Sequence, residues 1–296
     1  MLDLLRVLGI TLVLISHIGR AIQHPIAQFF GIEGFYWASI GGVGITIFLI
    51  LSGLALHLNY RYKDISYRQF MVGRILRIYP TYWLSLVFGV LVYLIASHIN
   101  GSPPSLGDQI GSLVCSVIGF CAFIGQWGGP FVPTGWFIGL IISLYILYPF
   151  ISRGIEQRPH KVLLILLLIS VVSRLIVGHY DILPDRALDW FPLCRVFEFG
   201  LGIYLAEVVK PSIWSCANGN SRINSIFGFV GRLTFPLFLV HYPLLRIITG
   251  HSWLHISQGT AIVVCLVASV LVSWFILLLT QAVTPHQEKP FKIAHR

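Results

Sequence analysis

The chain has 296 residues, of which 56% are hydrophobic and 10% charged. A soluble domain carries about 25% charged residues, so this composition excludes an ordinary soluble protein. Apolar runs of about 20 residues, each long enough to cross a bilayer, recur along the sequence. The formal net charge is +9, but the basic residues lie in short loops and at helix ends, so nucleic acid is not predicted as a partner.

Apolar runs between polar or Gly/Pro breaks predict nine segments in chain order. They are 4–24, 40–58, 78–98, 109–127, 135–152, 161–179, 190–209, 226–248 and 258–284. Each is predicted to be helical, because backbone groups in lipid must be satisfied within the chain. The expected fold is all-α, a polytopic membrane bundle of about nine to ten helices. It is expected to form one domain over residues 1–296, without a soluble appendage.

The distribution of basic residues predicts the orientation of the bundle. The loop after the second segment carries Arg61, Lys63, Arg68, Arg74 and Arg77. The positive-inside rule places this loop in the cytoplasm, together with the N-terminus and the C-terminus, and the membrane is expected to be a bacterial inner membrane. Segment 109–127 breaks the alternation, because the loops on both sides of it must face outward. We therefore predict eight full crossings plus a re-entrant segment or short hairpin at 109–127.

The first segment carries a basic stripe. Arg6 and His17 are eleven residues apart, which returns to within about 20° of the same direction on a helix, with a rise of about 16 Å. Arg20 and His24 fall on the same face. A charge at mid-membrane costs at least ~2.5 to 3.5 kcal/mol by insertion scales. The stripe is therefore predicted to line a polar interior.

Ionisable residues in later segments indicate two connected sites. Arg195 and Glu198 lie one turn apart, and these two and His241 are predicted to lie at depths similar to that of His17. The predicted inner side collects Arg6, Arg74, Arg77 and Arg232. Arginines match phosphates, and an imidazole matches proton abstraction from a hydroxyl near neutral pH.

Each of these residues also has a purely structural interpretation. Arg74 and Arg77 could be interfacial anchors, the Arg195 and Glu198 pair could be a neutralised bundle contact, and His241 a core histidine. The tryptophans near predicted outer ends could stack on sugars or form the interfacial belt: Trp127, Trp136, Trp190 and Trp253. The cysteines have no CxxC spacing, so neither a disulfide framework nor a zinc site is predicted: Cys115, Cys121, Cys194, Cys216 and Cys265.

Six motifs in order resemble the membrane acyltransferase-3 family, whose members O-acylate polysaccharides and other extracytoplasmic glycans. They are the Arg6 to His17 spacing, GGVGITIFLILSG (41–53), GRILRIYPTYW (73–83), WFIGLIISLYILYP (136–149), RVFEFGLG (195–202) and LTFPLFLVHYPLL (233–245). The chain departs from many members in the fourth motif, where Ile141 stands at the position of a glutamate. A role for that glutamate therefore does not transfer.

The resemblance implies acetyl-CoA as the acyl donor, entering from the cytoplasm. Arg74 and Arg77 would lie near its phosphates, and Tyr79 and Tyr82 of the same motif are assigned to this cofactor site. His17, supported by Arg6, would be the essential catalytic residue.

The remaining residues are assigned to the catalytic and acceptor sites. Arg195 or Arg20 is predicted to steady the oxyanion of the tetrahedral intermediate, and Glu198 to orient the arginine or the imidazole. Trp136, His241 and Arg20 are assigned to substrate binding.

The predicted function is transfer of an acetyl or small acyl group to a hydroxyl of an extracytoplasmic or lipid-linked glycan. The expected partners are acyl-CoA, a glycan acceptor and membrane lipids. The alternative is a proton-coupled transporter of a glycan or acidic metabolite, with His17, Glu198 and His241 as a relay. The transporter alternative explains the arginines at the inner side, Arg74 and Arg77, less naturally. The sequence also shows no inverted repeat of interrupted helices. A non-enzymatic scaffold would leave the basic stripe without a purpose.

Overall fold

A computed structural model describes residues 2–21, 37–99, 101, 106–180, 183–184, 186–209, 221–249 and 257–284. Ten α-helices occur in these ranges: α1 Leu2–Ala21, α2 Trp37–Tyr60, α3 Tyr67–Ile99, α4 Leu106–Ile118, α5 Trp136–Gln157, α6 Pro159–Tyr180, α7 Ala187–Trp190, α8 Pro192–Val208, α9 Ser221–Thr249 and α10 Gln258–Val283. Two short 3₁₀ helices, Cys121–Ile124 and Pro133–Gly135, precede α5. No strand occurs among these residues, which confirms the all-α prediction.

Seven helical stretches in the described part of the chain are long and apolar enough to cross a membrane. They are α1, α2, α3, α5 with the 3₁₀ helix before it, α6, α9 and α10. This confirms a multi-pass membrane protein. Helix α8 is also long, with 17 residues and a rise of about 25 Å, but it is not among these seven stretches. The predicted count of eight full crossings is therefore not confirmed.

The third helix begins earlier than predicted. It starts at Tyr67 instead of residue 78, about three turns further toward the N-terminus. Arg68, Arg74 and Arg77 therefore lie on the helix itself. The sequence predicts a loop here because charged residues interrupt the apolar run that marks a span.

The ambiguous segment 109–127 overlaps one short helix, the 13-residue α4, which begins at Leu106 and is followed by a turn and a 3₁₀ helix. The last carbonyls of any helix lack partners within the helix, and in lipid they need partners elsewhere. Here three aromatic side chains of α3 donate hydrogen bonds to them. The pairs are Tyr79 with Ile118 (2.6 Å), Tyr82 with Ser116, and Trp83 with Val117 (3.0 Å).

Cys115 and Cys121 form a disulfide, a bond that the cysteine spacing did not predict. The two Cα atoms are 5.1 Å apart, because the chain turns between them at Gly119, whose φ is 82°. No spacing signature marks the pair, since the turn that joins them is a property of the folded chain. Disulfides persist in oxidising compartments, so the end of the bundle that carries Cys115 and Cys121 is expected to face outward. The charge pattern predicts the same orientation.

Glycines set the positions of α1, α2 and α8. A Cβ on Gly44 of α2 would lie 2.5 Å from the carbonyl oxygen of Gly9 in α1, and a Cβ on Gly202 of α8 would lie 2.0 Å from that of Ile50 in α2. Small residues allow membrane helices to pack at such short backbone distances. The glycine-rich segment 41–53 thus holds α2 between α1 and α8.

The other helices complete the bundle around α5. Helix α1 also packs against α9, which contacts α3 and α10, while α8 packs against α5 and α6. Most of α5 is buried. We call the end of the bundle where α1 and α9 end and α5 and α8 begin the cavity end. The opposite end, where α1 and α3 begin and α2 ends, is the basic end.

Candidate active site

A cavity of about 130 Å³ opens at the cavity end of the bundle. Its lining includes His17 of α1, Tyr242 of α9, Thr134 of the second 3₁₀ helix, Trp136 of α5, and Arg186 and Asp189 at and within α7. These side chains come from four distant parts of the sequence. The packing of α1 against α2 and α9 places His17 at the cavity. This face of α1 therefore borders the cavity and is not exposed to lipid alone.

His17 contacts His241 across the interface between α1 and α9. The Nδ1 atom of His17 lies 2.7 Å from the Nε2 atom of His241. The two rings are nearly coplanar, with 13° between their planes and 5.0 Å between their centroids. The imidazoles therefore meet edge to edge through a nitrogen-to-nitrogen hydrogen bond. His241 is buried behind His17 and is not part of the cavity lining.

The backbone determines which nitrogen carries each proton. The Nδ1 atom of His241 lies 2.9 Å from the carbonyl oxygen of Leu237, and a carbonyl can only accept, so Nδ1 of His241 donates. In neutral His241 the Nε2 atom then accepts, and the Nδ1–H group of His17 donates to it. Neutral His17 consequently has its basic lone pair on Nε2. A lone pair placed in this way can take a proton from a hydroxyl.

One wall of the cavity is formed by an arginine and two tryptophans in contact with one another. The guanidinium of Arg186 lies 3.9 Å from the ring centroid of Trp127, whose ring lies 5.1 Å from that of Trp136. Arg186 also donates to the Asp189 carboxylate at 2.8 and 3.1 Å. Trp127 and Arg186 both have positive φ, 50° and 60°. Non-glycine residues in this region store about 1–3 kcal/mol each, and such strain clusters at binding sites.

Thr134 provides a buried hydroxyl in the same cavity. Its side chain is 2% exposed, and among the described residues its Oγ1 atom has no hydrogen-bond partner. Buried polar groups are nearly always paired with protein, water or ligand. The Thr134 hydroxyl is therefore suited to contact a molecule that enters the cavity.

Arg195 and Glu198 form an ion pair outside the lining of the cavity. The Oε1 atom of Glu198 accepts from Arg195 and from Arg174, each at 2.9 Å. The Nε atom of Arg195 donates to the backbone carbonyl of Asp189 at 3.3 Å. Neither Arg195 nor Glu198 belongs to the cavity lining. Their catalytic roles remain predictions, and the observed contacts indicate that they position the wall that carries Asp189.

Cations gather at the basic end, as expected for an anion site. Arg77 lies within electrostatic reach of Arg74 and Arg6. Arg74 donates to the Tyr60 hydroxyl at 2.5 Å, and its Nε atom is buried without a partner among the described residues. The Lys63 ammonium lies 5.0 Å from the Tyr60 ring centroid. Arg6 pairs with Asp3, the one acid in contact with this group within the described ranges.

Several predicted site residues make other contacts or lie outside the described ranges. The third motif predicts Tyr79 and Tyr82 at the cofactor site, but their hydroxyls donate to the carbonyls that end α4. The backbone of Arg20 belongs to α1, but its side chain lies outside the described residues. His24, Trp253 and Cys216 also lie outside them.

Sequence reasoning did not single out Thr134, Arg186 or Asp189. Arg186 and Asp189 stand three residues apart in a short polar stretch between predicted spans, and functional residues are common in such loops. That signal is visible in the sequence. Thr134 carries no comparable signal, because one hydroxyl beside a proline and a glycine indicates nothing until its neighbours are known.

The fold and the site together define a membrane-embedded enzyme class, in which a histidine cavity and a basic cluster lie at opposite ends of a helix bundle. The acyltransferase-3 family model, described as an acyltransferase domain, matches residues 1–213. The chain therefore belongs to this family, as its motifs predicted. A curated relative, acyltransferase MdmB of Streptomyces mycarofaciens, is 22% identical over 197 residues, which cover 60% of this chain and 49% of the relative. The chain thus spans about half the length of that relative. No solved structure matches this chain.

Proposed function

We propose that the protein is a membrane O-acyltransferase that moves an acetyl or other small acyl group from acyl-CoA to a hydroxyl of an extracytoplasmic or lipid-linked glycan. The observation that carries this proposal is the His17, His241 and Leu237 hydrogen-bond series, which provides a basic imidazole nitrogen beside a cavity. Family membership supports the same chemistry. The membrane is proposed to be a bacterial inner membrane, with both termini in the cytoplasm.

The donor is proposed to bind from the basic end. The phosphates of CoA would lie among Arg6, Arg74 and Arg77, since arginine forks match phosphate oxygens. Arg6 and His17 lie on one face of α1, separated by a helical rise of about 16 Å. The pantetheine arm would follow this face and present the thioester carbonyl near His17.

The reaction requires one proton transfer in each direction. The Nε2 atom of His17 takes the proton of the acceptor hydroxyl while the hydroxyl oxygen attacks the thioester carbonyl. The resulting imidazolium keeps its Nδ1–H bond to His241, which is held in turn by the Leu237 carbonyl. The tetrahedral intermediate collapses, the carbon–sulfur bond breaks, and His17 returns the proton to the CoA sulfur. The products are the ester and free CoA.

Replacing His17 by Ala tests the proposal. We expect the release of free CoA from radiolabelled acetyl-CoA to fall by about 10³-fold, within the usual contribution of a general base, while CoA binding is retained. The matched control is His98→Ala, since His98 is an exposed histidine at the end of α3 outside the cavity. Undiminished turnover in His17→Ala would refute the mechanism.

The same assay separates the enzyme from the transporter alternative. A transporter would move its cargo without cleaving acetyl-CoA, so neither free CoA nor an acylated product would form. The relay that this alternative needs joins His17, Glu198 and His241. Within the described residues Glu198 instead pairs with Arg174 and Arg195, which favours the acyltransferase.

A further inference from the structure

The two ends of the bundle differ in charge. Among the described residues that line the cavity, the formal charges at neutral pH are those of Arg186 and Asp189, which cancel each other in an ion pair of 2.8 Å. The basic end instead holds the group Arg6, Arg74 and Arg77, in which only Arg6 has an acid, Asp3, as a described ion-pair partner. Glu207, at the same end, pairs with Arg61. An anionic molecule would find no uncompensated cation in the described wall of the cavity.

The polar groups of the cavity suit alcohols better than anions. The Asp189 carboxylate can accept from hydroxyls, the Arg186 guanidinium can donate to them, and the Thr134 hydroxyl can do both. The rings of Trp136 and Tyr242 add apolar wall surface, which suits the C–H face of a sugar. Because Arg186 already covers one face of Trp127, the polar and aromatic groups are held in place before a ligand enters.

We propose that this cavity is the acceptor subsite, and that it selects a neutral, hydroxyl-rich sugar through the Arg186 and Asp189 pair. The volume of about 130 Å³ fits the reacting end of an acceptor and not a whole glycan chain. This inference rests on the proposed function, because His17 is the base that would deprotonate the bound hydroxyl. It adds the class of acceptor and the residues that discriminate charge.

The test uses matched p-nitrophenyl glycosides that differ by a carboxylate: the β-glucoside and β-galactoside against the β-glucuronide and β-galacturonide. Binding of each to the full chain is measured by titration calorimetry, and acylation is followed with acetyl-CoA. The native protein should prefer the neutral member of each pair. Asp189→Asn leaves Arg186 unpaired, so the ratio of uronide to neutral glycoside should rise about tenfold. Arg186→Gln leaves Asp189 unpaired, so the same ratio should fall.

Opposite shifts from the two variants would not arise from simple loss of packing. Arg153→Gln, an exposed arginine at the basic end of α5, is the control and should leave the ratio unchanged. The inference is overturned if the native protein binds no neutral glycoside, or if both variants shift the ratio in one direction or not at all. Release of CoA that still depends on His17 would show that the proposed function survives that failure.

Discussion

The tautomer of His17 depends on a backbone carbonyl that does not touch it. Leu237 accepts from His241, and His241 can then only accept from His17 through its second nitrogen. The same logic operates where a carboxylate orients a catalytic histidine. Here the orienting group is neutral and lies on a helix, so a single turn of α9 carries both the carbonyl and the imidazole.

Substitution of His241 separates orientation from simple packing. His241→Gln keeps an oxygen that can accept from His17, while His241→Leu removes the acceptor. We expect His241→Leu to lower kcat by about 10²-fold and His241→Gln to recover part of the loss, since a general base contributes about 10² to 10⁴ only when correctly oriented. The measurement is kcat at saturating acetyl-CoA. Equal activity of the two variants would mean that His241 acts only as core volume.

At the scale of the elements, close helix packing depends on backbone contact. The glycines of α2 and α8 allow the contribution of that contact to stability to be measured. Gly202 and Gly53 each face a backbone carbonyl across the α2 and α8 interface at distances that no Cβ tolerates. By contrast, a Cβ added to Gly42, on the same helix α2, would meet no neighbouring atom within 4 Å. Glycines of one motif therefore differ in what they contribute.

Gly202→Ala should destabilise the protein, because the new methyl group would lie 2.0 Å from the Ile50 oxygen and would push α8 from α2. We expect a loss of about 1–3 kcal/mol, as for other overpacked sites. Gly42→Ala is the control and should be neutral or slightly stabilising, since alanine favours helices by up to about 1 kcal/mol. Thermal unfolding in detergent, followed by size-exclusion chromatography, would show both; equal melting temperatures would contradict the packing.

The short helix α4 shows how a span-like sequence can fail to span. Its last carbonyls are covered by three aromatic side chains of α3, and the disulfide joins it to the next turn. Two of those aromatics are Tyr79 and Tyr82, which the motif alone would place at the cofactor. The arginines and tyrosines of the 73–83 motif therefore make different contacts. The arginines lie at the basic end, and the tyrosines bond to the end of α4.

On the scale of the whole molecule, the proposed donor and acceptor regions lie at opposite ends of α1. Arg74→Gln with Arg77→Gln should therefore raise the KM for acetyl-CoA more than it lowers kcat, because the contacts proposed for these arginines are with the donor phosphates. Each charge-assisted contact contributes about 1.5–3 kcal/mol, so a rise of at least tenfold is expected. Arg153→Gln with Arg158→Gln, both exposed, is the matched control. An unchanged KM would make Arg74 and Arg77 membrane anchors only.

Orientation in the membrane can be tested on the two ends of α6. Lys161 and His179 are both exposed, near the start and the end of that helix. In intact cells the His179→Cys variant should react with a membrane-impermeant maleimide, and the Lys161→Cys variant should react only after permeabilisation. The reverse pattern would invert the proposed topology and would place the disulfide in the reducing compartment.

Composition and periodicity alone determined that this chain is a helical membrane protein, because lipid leaves the backbone no other arrangement here and long apolar runs are visible in sequence. The motifs likewise indicated the family, and the spacing of Arg6 and His17 predicted that this face of α1 lines a polar interior, where His17 borders the cavity. Only the tertiary structure decided which residues meet His17. Helix packing brings His241 into contact with His17, and helix packing and turns bring Thr134, Arg186 and Asp189 to the same cavity. Such proximity between distant segments leaves no periodic signal in the chain.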